Sequence, residues 1–524
     1  MEHIHISTID IAVIGLYLLF IIWWGLRNGK SDDAGSYFLA GRSMPWWTVG
    51  LSLFAASISS TTLIGQAGDA YHTGLGVFNY NLTGVLVMIF FAICILPLYI
   101  KSKIFTIPEF LEKRFDRRSR YYFSAICIIG NIFLDAAGAL YAAALILKLI
   151  MPELDLQFII LIFALIAASY TIPGGLSSAI NAEIIQAGIL IVGSIILTCI
   201  CFAKGGDYFY NLYASGDMSL RLIRPLTDSA TPWPGLIAGM PVLGLYFWAN
   251  NQTLVQRVLS SKSIDEGRKG VMFTGFLTLS TLLIIAVPGV IARDMFPGLE
   301  SPDMVYPNMV LRLMPVGLLG VMLAALLSAL TSTLSAILNS TSTLFTIDFY
   351  AQRYKTASSQ RLVRVGKIAS VAIIIIAALW APYIGRFGSL LKYYQEMLSY
   401  VSPPIVGAFL MGIFSRRTTG NGAFAGLMAG LAVAILLLFF KNDIFGDMHF
   451  LYVVPILLLF SMAVMWIVSR SDSRPAEDKL ADTTYRYSYF KQEISQWKHG
   501  HIANNYLTWA LMLTLMCVAI LIIF

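Results

Sequence analysis

The chain has 524 residues, 57% of them hydrophobic and only 12% charged, with a net charge of +7 and a mean hydropathy of +0.74. Soluble domains carry roughly 25% charged residues, so this balance excludes a soluble enzyme or a nucleic-acid-binding domain and calls for a lipid bilayer as the surrounding medium. Excess Lys and Arg in such a chain reports membrane topology rather than affinity for nucleic acid. Cys94, Cys127, Cys199, Cys201 and Cys517 all lie in apolar segments, where they read as small hydrophobes and not as a disulfide framework or a metal cluster.

A helix needs about 20 apolar residues to cross the hydrocarbon core. In chain order the apolar segments are 8–26, 46–70, 75–100, 120–151, 156–172, 179–203, 235–255, 270–292, 315–350, 362–384, 388–414, 422–440, 450–468 and 505–524. The expected fold is therefore an all-α polytopic membrane protein of about 14 transmembrane helices. The first segment has no basic flank or small-residue cleavage site and reads as a retained span. One alternate set of loops (27–45, 101–120, 173–178, 256–269, 353–367, 415–421 and 469–504) holds 27 of the 36 Lys and Arg residues. The positive-inside rule puts these loops in the cytoplasm and both termini outside. The longest, 469–504, is too short and polar to be a domain of its own.

Two spans carry interruptions. In "SLFAASISSTTLIG" hydroxyls crowd between Ser57 and Thr62, and five spans later "PWPGLIAGMPVLGLYFWANNQ" places Gly239, Pro241 and Gly244 inside an apolar run. Gly and Pro at membrane depth are tolerated where backbone is buried in protein or lines a cavity. Their separation by five helices fits two unwound helices facing each other across a central site, as in transporters built from repeats. The bland alternative is a pair of packing kinks.

The ninth span contains "LSALTSTLSAILNSTSTLF", with nine Ser or Thr and one Asn between Ser328 and Thr343. Ser328, Ser332, Ser335, Asn339 and Ser342 form a stripe at helical spacing. As a whole the stripe also suits a small-residue seam for close helix packing. Ala329, Ser332 and Thr333 add a sharper possibility, since their spacing brings one carbonyl and two hydroxyls together. Completed by carbonyls from an unwound helix, they form an uncharged oxygen cage for a hard monovalent cation such as Na+.

The motifs "YFLAGRSMPWW" (37–47), "SLFAASIS" (52–59), "IFTIPEFLEKRF" (104–115), "YTIPGGLSSAINAEIIQ" (170–186), "NNQTLVQRVLSSKS" (250–263) and "LNSTSTLFTIDFY" (338–350) together resemble the solute:sodium symporter family, above all its bacterial sugar-transporting branch. The resemblance covers essentially the whole chain and implies a LeuT-type fold with 5+5 inverted repeats, the first helix of each repeat being broken. The implied organisation is one transporter domain over 1–524. It has an extra N-terminal helix at 8–26, a first five-helix repeat at 46–203, a second at 235–414 and extra C-terminal helices at 422–524. The family's main sodium site maps onto the carbonyls of Ala55, Ile58 and Ala329 and the hydroxyls of Ser332 and Thr333. A second cation site of some members maps onto Glu183 and Ser335, with Ala182 and Ala336 in place of hydroxyl residues. That leaves Glu183 open to binding Na+, holding a proton or orienting helices.

For the solute, the resemblance places Gln395, Asn81, Tyr80, Trp248, Phe247, Thr62 and Ser57 around the pocket, with Thr278 where a Lys stands in relatives. Asp135 stands where sialic-acid carriers have an Arg. The galactose pattern is not reproduced, and a buried Asp opposes a carboxylate ligand. The expected function is Na+-coupled symport of a small neutral sugar or polyol across a bacterial inner membrane by alternating access. Na+ is the coupling ion, and neither an organic cofactor nor a nucleic-acid partner is expected. The protein is expected to work as a monomer, and not as an enzyme. Rival readings are a carrier of carboxylates, amino acids or sialic acid, and a symporter-like sensor module. A pump is not supported, because the chain has no GxxxxGK[ST] phosphate loop.

Overall fold

The computed structural model describes residues 7–28, 39–58, 61–150, 153–228, 230–299, 301–387, 390–446, 448–499 and 505–524. Among these residues the chain is helical with no β-strand, only two isolated bridges. The helices that matter here are α1 (Thr8–Asn28), α2 (Trp46–Ser57) and α3 (Gln66–Thr73), followed by α4 (Leu75–Lys101), α5 (Ile107–Arg114) and α6 (Arg117–Lys148). Next come α7 (Leu156–Ala214), α8 (Trp233–Ala238), α9 (Met240–Leu245) and α10 (Gln252–Leu259). After them stand α11 (Ile264–Met295), α12 (Val305–Leu313), α13 (Leu318–Thr343), α14 (Ser359–Trp380) and α15 (Leu390–Phe414). The chain closes with α16 (Gly420–Phe445), α17 (Phe450–Arg470), α18 (Tyr487–His499) and α19 (Tyr506–Ile523).

Among the described residues, each of the fourteen apolar segments read from the sequence is largely helical. Among the described residues, nine helices are individually long and apolar enough to cross a bilayer, or ten if the bent pair Trp46–Ser57 and Thr62–Thr73 is one span. Thr8–Tyr17, Leu156–Ser169 and Leu318–Leu327 are shorter apolar helices. Breaks account for part of the difference: the segment 235–255 is divided among α8, α9 and α10. The backbone of α7 also runs helically through 173–178, which reads as a loop in the sequence. Gly lowers helix propensity without forbidding helix, and a short stretch wound from both sides can stay helical. At 1.5 Å per residue the whole of α7 represents roughly 90 Å of helix, enough for more than one crossing.

Starts of helices follow the capping rules. Asp116 accepts from the Ser119 amide at 3.0 Å, Asp155 from the Gln157 amide at 2.9 Å and Asn505 from the Leu507 amide at 2.9 Å. Each satisfies a donor that the first turn leaves without an intrahelical acceptor. The outer surface is apolar, with Ile522 80% and Phe439 73% exposed, as expected of helices facing lipid. Polar and charged groups gather inside and at one end. There Asp348, fully buried, accepts from Thr106 (2.7 Å), Arg120 Nε (2.9 Å) and Ser124 (2.5 Å). Arg120 also pairs with Glu112 at 2.5 Å. This cluster holds α5 and α6 to the far end of α13.

Two interruptions frame the centre. α2 ends on Ile58 (φ −81°, ψ 74°), and the helix that resumes at Thr62 is turned by 62°. The second falls at Asn251 (φ −71°, ψ 116°), directly after a wide π-helical turn, Tyr246–Asn250. Gly239, by contrast, keeps helical angles (φ −94°, ψ −53°). The break thus lies beyond the Gly and Pro residues that drew attention in the sequence, at an Asn whose side chain caps the next helix by accepting from the Thr253 amide at 2.8 Å.

Candidate functional site

A cavity of about 840 Å³, counting its open mouth, lies between the two interruptions. Ser57, Thr62, Tyr80, Asn81, Phe247, Trp248 and Gln395, seven of the eight expected solute contacts, line it. The broken helix α2–α3 supplies Ser57 and Thr62, α4 supplies Tyr80 and Asn81, and α15 supplies Gln395. The π turn before Asn251 aims Phe247 and Trp248, whose rings meet edge-on with centroids 5.1 Å apart. The indole is admitted by Gly84: a Cβ there would stand 2.6 Å from Trp248 Nε1.

Polar atoms in the cavity are partly committed. Asn81 Nδ2 donates to Thr281 Oγ1 (2.6 Å) and to Gln66 Oε1 (3.2 Å), and Thr281 in turn donates to the Thr278 carbonyl at 2.6 Å. Ser57 and Thr62 turn their hydroxyls onto the carbonyls of Phe54 (2.8 Å) and Ser57 (2.9 Å). Thr278 Oγ1, by contrast, has no hydrogen-bond partner among the described residues, so its hydroxyl is available to a bound solute. Leu243, Leu391 and Leu398 complete an apolar wall. An alternation of aromatic faces with uncharged donors and acceptors suits a molecule carrying several hydroxyls.

Gln66 and Thr281 were not singled out from the sequence. Both are legible afterwards by helical spacing, four residues from Thr62 and three from Thr278. Asp135 is the exception among the expected contacts. It lies in a π turn of α6, Asn131–Ala136, and is hydrogen-bonded to Tyr394, a residue that does line the cavity. It therefore stands behind the wall and orients a tyrosine rather than facing the solute directly. At the N-terminal end of α15, Asp303 accepts from the Leu390 amide at 3.2 Å, next to the lining residue Leu391. Burial pushes its carboxyl up to about 6, against the pull of that amide.

Of the expected sodium ligands, Ala55 and Ile58 sit at the end of α2 with 5% and 2% exposure, and Thr333 is 5% exposed on α13, which packs against α2. Ile58 also lines the solute cavity. Ala329 and Ser332 belong to the same helix, but their side chains, like that of Glu183 on α7, lie outside the described residues. Ser335, expected at the second cation site, is 1% exposed and its hydroxyl has no protein partner. Ala55 and Ile58 thus lie at the end of a helix that packs against the helix carrying Thr333, and no group of three His, Cys, Asp or Glu occurs among the described residues to hold a transition metal.

A multi-pass helical protein with a central cavity between two broken helices is a membrane carrier in its architecture. Residues 37–430 match the model of the Sodium:solute symporter family, and the chain belongs to that family, whose members are sodium-coupled symporters. It is 35% identical over 511 residues to a sodium/glucose cotransporter of Vibrio parahaemolyticus, covering 91% of this chain and 93% of that one. It is 31% identical to the mouse sodium/myo-inositol cotransporter 2, covering 91% of this chain and 79% of that one. Among solved structures, a substrate-bound, outward-open Na+-coupled sialic acid symporter superposes with a TM-score of 0.79 at 23% identity, over 89% of this chain and 99% of that one. This last likeness concerns the fold, which is the LeuT-type fold.

Proposed function

We propose that the chain imports a small neutral sugar or polyol together with Na+ across the plasma membrane of a bacterium. The observation that carries the solute class is the cavity lining: Gln395, Asn81 and Thr278 offer uncharged polar groups beside Tyr80 and Trp248, with no Arg or Lys among the lining residues. A carboxylate entering such a site would lose its water without gaining a cation, at several kcal/mol. Relatives named for glucose and myo-inositol support the same class. The sialic acid symporter is the structural neighbour that speaks for the rival, and Asp135 behind the wall speaks against it.

Na+ is held by the carbonyls of Ala55, Ile58 and Ala329 and the hydroxyls of Ser332 and Thr333, with Glu183 and Ser335 as a second cation position. At 100 mV one charge supplies ~2.3 kcal/mol, and a tenfold Na+ gradient adds ~1.4 kcal/mol. Together these sustain accumulation of about several hundredfold. Both termini face outward, the 27 basic residues of the alternate loops facing the cytoplasm. The protein works as a monomer whose helices rock about the cavity, with Phe247 and Tyr80 as gates.

Uptake into proteoliposomes under an inward Na+ gradient, with labelled solute competed by sugars, polyols, amino acids and organic acids, tests the reading. Sugars or polyols should compete best, and K+ should not replace Na+. Strongest competition by acids would replace this reading with the carboxylate carrier.

A further inference from the structure

Beyond the cation position, α13 continues for more than two turns before the π-helical segment Leu344–Tyr350, and its two faces there are treated differently. On one face Asn131 Nδ2 donates to Thr341 Oγ1 at 2.9 Å, and the Thr341 hydroxyl donates back to the Ile337 carbonyl at 2.7 Å. On the other, Asn339 is 3% exposed, yet neither its amide nitrogen nor its amide oxygen has a partner among the described residues. Thr346 Oγ1, fully buried, has none either.

This second face is covered by α10. Gln256 Nε2 donates to Thr343 Oγ1 at 3.2 Å, which fixes the contact. Asn339 lies four residues before Thr343 and Thr346 three after it, so both flank the contact on the same face. On the opposing helix Thr253 lies three residues before Gln256, is 6% exposed, and its hydroxyl also lacks a partner. Buried polar groups are nearly always hydrogen-bonded, to protein or to water. A run of such groups along one helix–helix seam, opposite a face whose polar groups are bonded, points to a ligand that the seam is built to take.

The ligands on offer are one amide oxygen and several hydroxyls, with an amide N–H₂ beside them. They suit water and a partly hydrated monovalent cation, and they carry no charge that would hold the cation for long. We infer that the α10–α13 seam around Asn339 is a hydrated passage through which Na+ leaves its site towards the cytoplasmic end of α13, with Asn339 as a transient ligand. The inference rests on the sodium-coupled reading.

The first test needs no solute. The full-length chain carrying Asn339→Cys, and separately Thr341→Cys on the bonded face, is treated in inside-out vesicles with a small water-soluble methanethiosulfonate, and modification of each position is read by peptide mass spectrometry. Residue 339 should react about tenfold faster than residue 341, since thiol reactivity follows access of water and reagent, and Na+ should slow it. Equal rates at the two positions overturn the proposal. The second test compares Asn339→Leu with Asn339→Ser in proteoliposomes. The Leu variant should lose about tenfold in net Na+-driven uptake, as expected for removal of polar ligands from a path, while retaining solute exchange at equal, saturating Na+ on both sides. The Ser variant should restore net uptake. Parallel loss of uptake and exchange, or no loss of either, would refute the passage. If the labelling contrast appears without any Na+-dependent uptake, it is the transport reading that has failed.

Discussion

At the first interruption, α2 stops at Ile58 and the chain turns by 62° before helix resumes. At the second, one extended residue, Asn251, separates a π turn from α10, and its own side chain caps the restart. The contrast lies in which backbone groups are left over. The end of α2 is a C-terminal helix end, rich in carbonyls and carrying negative partial charge, on a helix that packs against α13. The start of α10 is an N-terminal end, one of whose donors, the Thr253 amide, is engaged by the Asn251 side chain. Acceptors therefore collect at the first break, where a cation can use them, while the second break serves to aim Phe247 and Trp248 into the solute cavity. On the proposed reading the first break serves the ion and also lends Ser57, Ile58 and Thr62 to the solute cavity, while the second serves the solute alone.

That division is open to attack from the cation side first. Thr333→Ala and Ser332→Ala should each raise the Na+ concentration for half-maximal uptake about tenfold or more, the equivalent of ~1.4 kcal/mol. The apparent affinity for solute at saturating Na+ should change little. Equal shifts in both quantities, measured by uptake titrations, would mean that the two breaks are not separable.

From the solute side, Trp248→Ala removes an aromatic face that contributes about 0.5–1.5 kcal/mol in stacking. The expected result is a solute KM raised about fivefold with the Na+ dependence unchanged. Isothermal titration of purified protein with the best competitor, with and without Na+, checks it.

The smallest effect falls on the second break itself. Asn251→Ala deletes the cap on α10 and should lower stability by about 1 kcal/mol, seen as a modest drop in the thermal midpoint. Asn251→Ser, which restores a capping oxygen, should recover it. A loss of Na+ affinity in Asn251→Ala greater than that of Thr333→Ala would assign the acceptor role to the wrong break.

Much of this arrangement is visible in the sequence because membrane helices are long, apolar and regularly spaced. Among the described residues the fourteen apolar segments are largely helical, and seven residues that the resemblance places around the solute line one cavity. What the sequence conceals is local. The break at Asn251 is set by a single cap and a π turn, which leave no Gly or Pro signature, while the more conspicuous Gly239 stays helical. Asp135 occupies the expected part of α6, but a tyrosine from α15 intervenes, a relation between distant segments that no local pattern encodes. The hydroxyl-rich stripe of α13 shows the same limit: spacing groups Ser335, Asn339 and Ser342 together, yet only the packing of α10 distinguishes the unpartnered face from the bonded one.

Gly84 gives the cavity a further property. A side-chain carbon at this position would press on the indole nitrogen of Trp248 at 2.6 Å, and the ring can yield only by shifting within the wall it forms. The size of cargo that the carrier accepts is therefore governed in part by a residue absent from the cavity lining. Selectivity among solutes of different bulk can drift, or be engineered, by a methyl group placed behind the tryptophan while the polar groups of the cavity stay as they are.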